Sequence, residues 1–264
     1  MDGCQEKHFE CDTWQIIPLL ISKNKMTTNM QATESKIKNK NKIIIECNNL
    51  TKSFVDGSKE TKVLKGVHLE IHEGEFVAIM GRSGAGKSTC MYQLSLLDEP
   101  TSGEIIIDGK DTHNLNEKSR TDFRLYKLGY VFQDYSLIPE LSAVENVALP
   151  QMQQGVNFNV ARENAKNALE SVGLLNKLDN LPSQMSGGEQ QRTAVARAIA
   201  HKPRILFADE PTANLDIENS QRVIEIFKKL NSEGLTIVMV THEDEYGKMA
   251  DRIIKLADGA VVKE

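Results

Sequence analysis

Apolar and polar residues alternate over Ile43–Cys47 and Val67–Ile71, the pattern of strands with one face buried. Phe76–Met80, Ile205–Ala208 and Leu235–Val240 are instead unbroken apolar runs, as a strand shows when both of its faces are covered. Glu104–Asp108 followed by Gly109 predicts a strand running into a turn. Helical spacing takes over at Ala161, Ala165, Ala168, Leu169 and Val172, and again at Val223, Ile224, Phe227 and Leu230. Cys90–Leu97 reads as helix, and Ser186 fits the N-cap of another helix, with Ala194, Val195, Ala198 and Ile199 on one face. The pattern predicts an α/β core, interrupted by a mostly helical middle over about residues 134–200.

Before Ile43 the texture changes. Ser22–Lys42 is rich in Lys, Asn, Thr and Ser, and residues 1–42 are read as a disordered arm. Seven lysines against Asp2, Glu6, Glu10, Asp12 and Glu34 give the arm a charge of +2, within a chain of net charge -5. A solvated tail, or sequence upstream of a true start at Met26 or Met30, explains it better than a contact with anionic lipid. The apolar run Trp14–Ile21 falls far short of the about 20 residues of a membrane helix, and acids precede it where a signal peptide is basic. The expectation is a chain with no direct membrane span.

At 264 residues the chain can bury a core as one large domain or two lobes, and its acidic balance leaves no electrostatic footprint for nucleic acid. Cys4, Cys11, Cys47 and Cys90 have no metal-ligand spacing and fit free thiols in a reducing compartment.

The chemistry is carried by loops that follow the buried runs. Phe76–Met80 leads directly into Gly81-Arg-Ser-Gly-Ala-Gly-Lys-Ser-Thr89, and helix follows. In such a loop Gly81, Ser83, Gly84, Ala85 and Gly86 turn backbone N–H groups inward as an anion nest, aided by the helix N-terminus. Lys87 reaches the β- and γ-phosphates, Ser88 offers its hydroxyl to Mg²⁺, and Thr89 continues the phosphate-binding turn. Ile205–Ala208 ends in Asp209 and Glu210, two acids that are costly at the mouth of a buried strand unless a cation and a reacting water use them. Asp209 is expected to hold Mg²⁺, and Glu210 to orient and deprotonate the attacking water. Leu235–Val240 delivers His242 to the same edge, where an imidazole can hydrogen-bond a γ-phosphate; His68, His72, His113 and His201 read as structural or exposed. Ser186, Gly187, Gly188 and Glu189 open a second helix N-terminus able to bind an anion. Two phosphate-binding ends with one lysine-bearing loop suit a pair of chains, each closing its second end over the other's nucleotide.

With these motifs in this order, residues 43–264 resemble the ATP-binding subunit of ABC transporters. The resemblance implies a P-loop NTPase core with a parallel sheet, a small antiparallel β lobe from about Ile43–Ile71 and Glu104–Val131, and an inserted helical lobe. It implies ATP and Mg²⁺ as cofactors, and it makes 81–89 and 209–210 the Walker motifs and Ser186–Glu189 the signature. Glu189 stands where many relatives have Gln. Gln133 matches the loop that senses Mg²⁺ and the membrane partner, Asn214-Leu-Asp216 the loop that ends in a functional Asp216, and His242 the switch histidine. Phe54 stands where relatives often place Tyr to stack on adenine, which needs only a ring face. The implied partners are a second copy of the chain and a separate transmembrane permease, with the chain cytoplasmic and peripheral on the inner face of the membrane.

Phe123-Arg124, Leu128–Gln133, Glu145–Pro150 and Met185–Arg192 resemble the macrolide-exporter, lipoprotein-releasing and antimicrobial-peptide-resistance branch. That branch implies export or mechanical work on the cell envelope; a regulatory or tethering subunit that transports nothing is the alternative. Asn176-Lys-Leu-Asp179 imitates a guanine-reading motif, but it follows a helical run, and the D-x-x-G that should precede it comes after, at Asp244–Gly247. No long heptad insertion or second cassette points to DNA or the ribosome. Tyr135, Leu137, Ile138 and Leu141, just past Gln133, are expected either to form a groove for a helix of the permease or to pack the helical lobe.

Overall fold

The computed structural model describes residues 42–262. The arm read over 1–42 lies outside the described residues except for Lys42.

The alternating segments form long strands: β1 (Ile43–Asp56) pairs antiparallel with β2 (Lys59–His72), and on its other edge with β4 (Ser102–Ile107), which carries the short β5 (Lys110–Asp111). The unbroken apolar runs become β3 (Phe76–Met80), β7 (Ile205–Asp209) and β8 (Thr236–Val240). They are the centre of a second sheet, whose strand order is Ala260–Val262 (β10), Arg252–Ala257 (β9), β3, β8, β7 and Leu128–Val131 (β6). Its pairings are parallel apart from β9 against β10.

All five residues of β3, of β7 and of β8 are buried, which is why those runs show no alternation. Period two nevertheless divides them between two cores. Val77, Ile79, Phe207 and Val238 face the antiparallel sheet and the helix α1 (Lys87–Leu94). Phe76, Ala78, Leu206 and Met239 face α3 (Ala143–Gln153), α4 (Phe158–Ser171), α5 (Gly187–Ile199) and α6 (Ile217–Ser232).

Two expectations need correction. Residues up to Val131 do not all belong to the antiparallel lobe. After α2 (Glu117–Lys127), capped by Asn116 through Ser119 N–H, the chain forms β6 (Leu128–Val131), which pairs parallel with β7 as an edge strand of the core. Gly129 lets this strand lie close against α5, since a Cβ there would come within 2.3 Å of the Ala198 carbonyl on that helix. The helix after the phosphate loop also starts earlier and ends earlier than Cys90–Leu97, because the loop hands Lys87 directly into the first turn and Leu96, at φ 60°, has left the helix.

Register fixes where the chemistry meets. Ile79 pairs with Val240, and Val240 also pairs with Asp209. The loops leaving β3, β7 and β8 therefore emerge at one sheet edge, the carboxyl end at which open α/β sheets bind ligands.

Candidate functional site

The loop from Gly81 to Gly86 wraps the N-terminus of α1. Ala85 N–H donates to the Arg82 carbonyl at 3.1 Å, and Gly86 enters the helix at φ 93°, a conformation any Cβ would strain. A Cβ at Gly86 would also lie 3.0 Å from Leu64 on β2, so the antiparallel sheet closes over the loop from that side. Ser83 and Gly84 remain exposed. A cavity of about 820 Å³ opens beside them, with His242, Lys248 and Lys255 on its wall.

Lys87 is buried, and its Nζ donates to the Arg82 carbonyl at 3.4 Å and lies 3.8 Å from Glu210 Oε1. Glu210 Oε2 is 3.0 Å from His242 Nδ1. The Glu210 carboxylate is thus held between an ammonium at the phosphate loop and an imidazole from the end of β8. Its backbone is left-handed, at φ 43°, while its N–H donates to the Val240 carbonyl at 3.0 Å. That conformation is uncommon for a residue with a Cβ, and sites where the surrounding structure enforces such a backbone are frequently functional.

One residue earlier, Asp209 accepts a hydrogen bond from Ser88 Oγ at 3.1 Å. Burial pushes the Asp209 carboxyl above its ordinary range and the Glu210 charge adds to this, while hydrogen bonds from Tyr92 and Ser88 and the charge of Lys87 oppose it. A carboxylate destabilised by burial beside a hydroxyl is a fitting donor pair for a hard divalent cation, whose charge would relieve that cost. Tyr92 was not singled out in the sequence. It lies one turn past Ser88 on α1, so helical spacing alone places both on one face and could have found it.

A second cluster forms around the N-terminus of α5. Ser186 and Glu189 make a capping box: Ser186 N–H donates to Glu189 Oε2 at 2.9 Å and Glu189 N–H to Ser186 Oγ at 3.3 Å. The Ser186 N–H holds the Glu189 carboxyl below its ordinary range, and Lys177, 3.2 Å away, contributes. Gly188 faces Asn219, where a Cβ would come within 2.2 Å of the side-chain oxygen. Asn219 in turn donates from its backbone to Asp216 Oδ1 at 2.7 Å and accepts from Arg192 at 3.0 Å. Asp216 caps α6, and the Asn219 hydrogen bonds lower its pKa. Gln133 joins this group through its main chain: its carbonyl accepts from Asn214 Nδ2 at 3.2 Å.

The fold therefore brings together Gly81–Thr89, Asp209, Glu210 and His242, and separately Ser186–Glu189, Asp216 and Gln133. Among the described residues, no hydrogen bond joins Ser186–Glu189 to the phosphate loop, and none links Gln133 to Ser88 or Asp209. Phe54 stands apart on β1, nearly half-exposed. Tyr135 is one of the residues expected to form a groove or to pack the helical lobe. It is half-buried, with its hydroxyl 3.5 Å from the Asn214 carbonyl and against Gly187, whereas Ile138 is 37% exposed.

Among the described residues, no helix is long and apolar enough to cross a membrane. Cys47 and Cys90 are buried free thiols, and burial pushes both upward, Cys47 to about 12.

Comparison with known proteins agrees with this geometry. Residues 64–213 match the family model described as ABC transporter. The chain is 49% identical over 203 residues to the lipoprotein-releasing system ATP-binding protein LolD of Aquifex aeolicus, covering 77% of this chain and 91% of that protein. It is 47% identical over 221 residues to the macrolide export ATP-binding/permease protein MacB of Chlorobium luteolum, covering 84% of this chain but only 33% of that longer protein. Among solved structures it superposes, with a TM-score of 0.78 and 41% identity, on a dimeric ATP-binding cassette in a post-hydrolysis state bound to ADP and Pi, covering 83% of this chain and 97% of that one.

Proposed function

The chain belongs to the ABC transporter family, and from that premise we propose that it binds and hydrolyses ATP as a subunit that pairs with a second copy of itself and drives a separate transmembrane permease. Residues 43–264 are its ATP-binding domain, with about 134–200 as the helical lobe. The likeness to LolD and MacB favours export or envelope work at the inner face of a membrane, with the chain peripheral on its cytoplasmic side.

The observation that carries this reading is the carboxylate of Glu210, held between Lys87 and His242 at the mouth of the phosphate loop. Backbone N–H groups of Gly81–Gly86, the N-terminus of α1 and Lys87 bind the phosphates. Glu210 accepts the proton of the water that attacks the γ-phosphate, and His242 fixes the Glu210 carboxylate through Nδ1–H and, in its doubly protonated form, donates a second hydrogen bond from Nε2 to the same phosphate. Ser88, Asp209 and Gln133 would hold Mg²⁺, which when bound neutralises charge on the β- and γ-phosphates.

The second cluster is the other half of the site. Ser186, Gly187 and Gly188 open a helix N-terminus able to bind an anion, and they are assigned to the γ-phosphate held by Lys87 of the other copy, with Glu189 and Asp216 bracing them. Size-exclusion chromatography tests this: Glu210→Gln protein is expected to elute as a dimer with ATP and as a monomer without it. Identical elution in both conditions would defeat the paired arrangement.

The permease is assigned to the surface after Gln133, where Asn146 pins the loop. Its side chain accepts from Ile138 N–H at 2.8 Å and donates to the Leu141 carbonyl at 2.8 Å. Because Tyr135 is tied into the second cluster, Ile138 is the better probe. Ile138→Glu should keep the basal ATPase of the isolated subunit and weaken co-purification with the permease about tenfold or more, as loss of an interface anchor does. Loss of both properties together would place Ile138 in the core instead.

A further inference from the structure

Phe54 is the most remote member of the site, yet it is held from behind. Lys52, two positions earlier on the same face of β1, places its Nζ 5.1 Å from the centre of the Phe54 ring. Little of that side chain is solvent-exposed, 13%. Its ammonium donates to Asp98 Oδ1 at 2.8 Å and to the Glu99 carbonyl at 2.6 Å. Asp98 also accepts from Gln93 Nε2 at 2.9 Å and from Glu99 N–H at 2.7 Å. Gln93 is fully buried on α1, the helix that begins with Lys87 and Ser88.

The backbone around Lys52 is clamped by the same segment. Thr101 N–H donates to the Thr51 carbonyl at 2.9 Å, and Ser53 N–H donates to Thr101 Oγ1 at 2.9 Å. The loop 98–101 therefore fixes both the strand before Phe54 and the cation beneath its ring.

We propose that Lys52, held by Asp98, is a positioning residue for base recognition. Its ammonium occupies one face of the Phe54 ring, leaves the other face for the purine of the nucleotide, and ties that ring through Asp98 and Gln93 to the helix that binds the phosphates. The inference rests on the ATP-binding reading and adds to it a determinant of purine preference. A ring already fixed by a cation loses less rotamer freedom when a base stacks on it, and a purine offers more face to stack than a pyrimidine.

Steady-state kinetics of the full chain with ATP and with UTP test it. Lys52→Met keeps the aliphatic stem and removes the charge. KM for ATP should rise about three- to fivefold, the size of an exposed cation–π contact, with kcat changing far less. KM for UTP should change less than KM for ATP. Lys52→Arg, which keeps a cation on the ring, should restore the parental KM, and Asp98→Asn should shift it in the same direction as Lys52→Met. Phe54→Ala separates stacking from positioning. If Phe54→Ala raises KM for ATP while Lys52→Met and Asp98→Asn do not, or if they raise KM for ATP and UTP equally, the positioning role is wrong and base stacking stands. If Phe54→Ala leaves KM for ATP unchanged, base stacking on Phe54 is wrong and the positioning role falls with it.

Discussion

Glu210→Gln protein is expected to bind ATP at least as well as the parent while its turnover falls by about 10²-fold or more, the loss typical of removing a general base. The amide keeps the shape of the carboxylate and its contact with His242 but cannot accept the water's proton. The substitution also removes the negative charge that lies 3.8 Å from Lys87, so Lys87 is left free for the phosphate. Affinity should hold or improve for that reason. Single-turnover hydrolysis together with equilibrium nucleotide binding checks both halves. Parental turnover would move the base elsewhere, and the neighbouring acid Glu243 is a poor substitute, since it is already engaged by Thr212 Oγ1 at 3.0 Å.

Lys87→Ala should fail at the earlier step. Hydrogen bonds from a charged donor contribute about 1.5–3 kcal/mol each, so losing the lysine should weaken ATP binding about 10- to 100-fold. The substitution also leaves Asp209 and Glu210 adjacent without the lysine's charge beside them. The repulsion between those acids and an incoming triphosphate then adds to the loss. Titration of a fluorescent ATP analogue in the presence of Mg²⁺ measures it. An unchanged Kd, with the fold intact by circular dichroism, would show that the loop is not where the phosphates bind.

The two variants would divide binding from chemistry, and both positions stand out as candidates in the sequence alone. A strand, a glycine-rich turn and a lysine at the start of a helix have one physical use in that order, and Lys87 emerges where that pattern requires. The acids closing Ile205–Ala208 were equally legible, because apolar residues running directly into two carboxylates imply a cation or a reaction. The edge strand Leu128–Val131 was misplaced for the opposite reason. It has four residues, too few to show a period, and its partner Ile205–Ala208 lies more than seventy residues further along the chain. Tyr135 could not be assigned to one of its two alternatives because an apolar-rich stretch looks the same whether its residues face a partner or the chain's own Asn214.

By itself, then, the sequence determined the local elements and the chemical types of the site residues, since strand burial, helix capping and the anion nest all follow from neighbours within a turn or a strand. The family followed as well, through the order of those motifs. Tertiary structure decided who meets whom. Ser88 reaches Asp209 across 121 residues, and Glu210 reaches His242 across 32, only because β3, β8 and β7 lie side by side with their ends in register. Lys52 reaches Asp98 across 46 residues because the loop after α1 folds back onto β1. Such contacts depend on sheet order and loop path, which long-range packing sets and no local periodicity encodes.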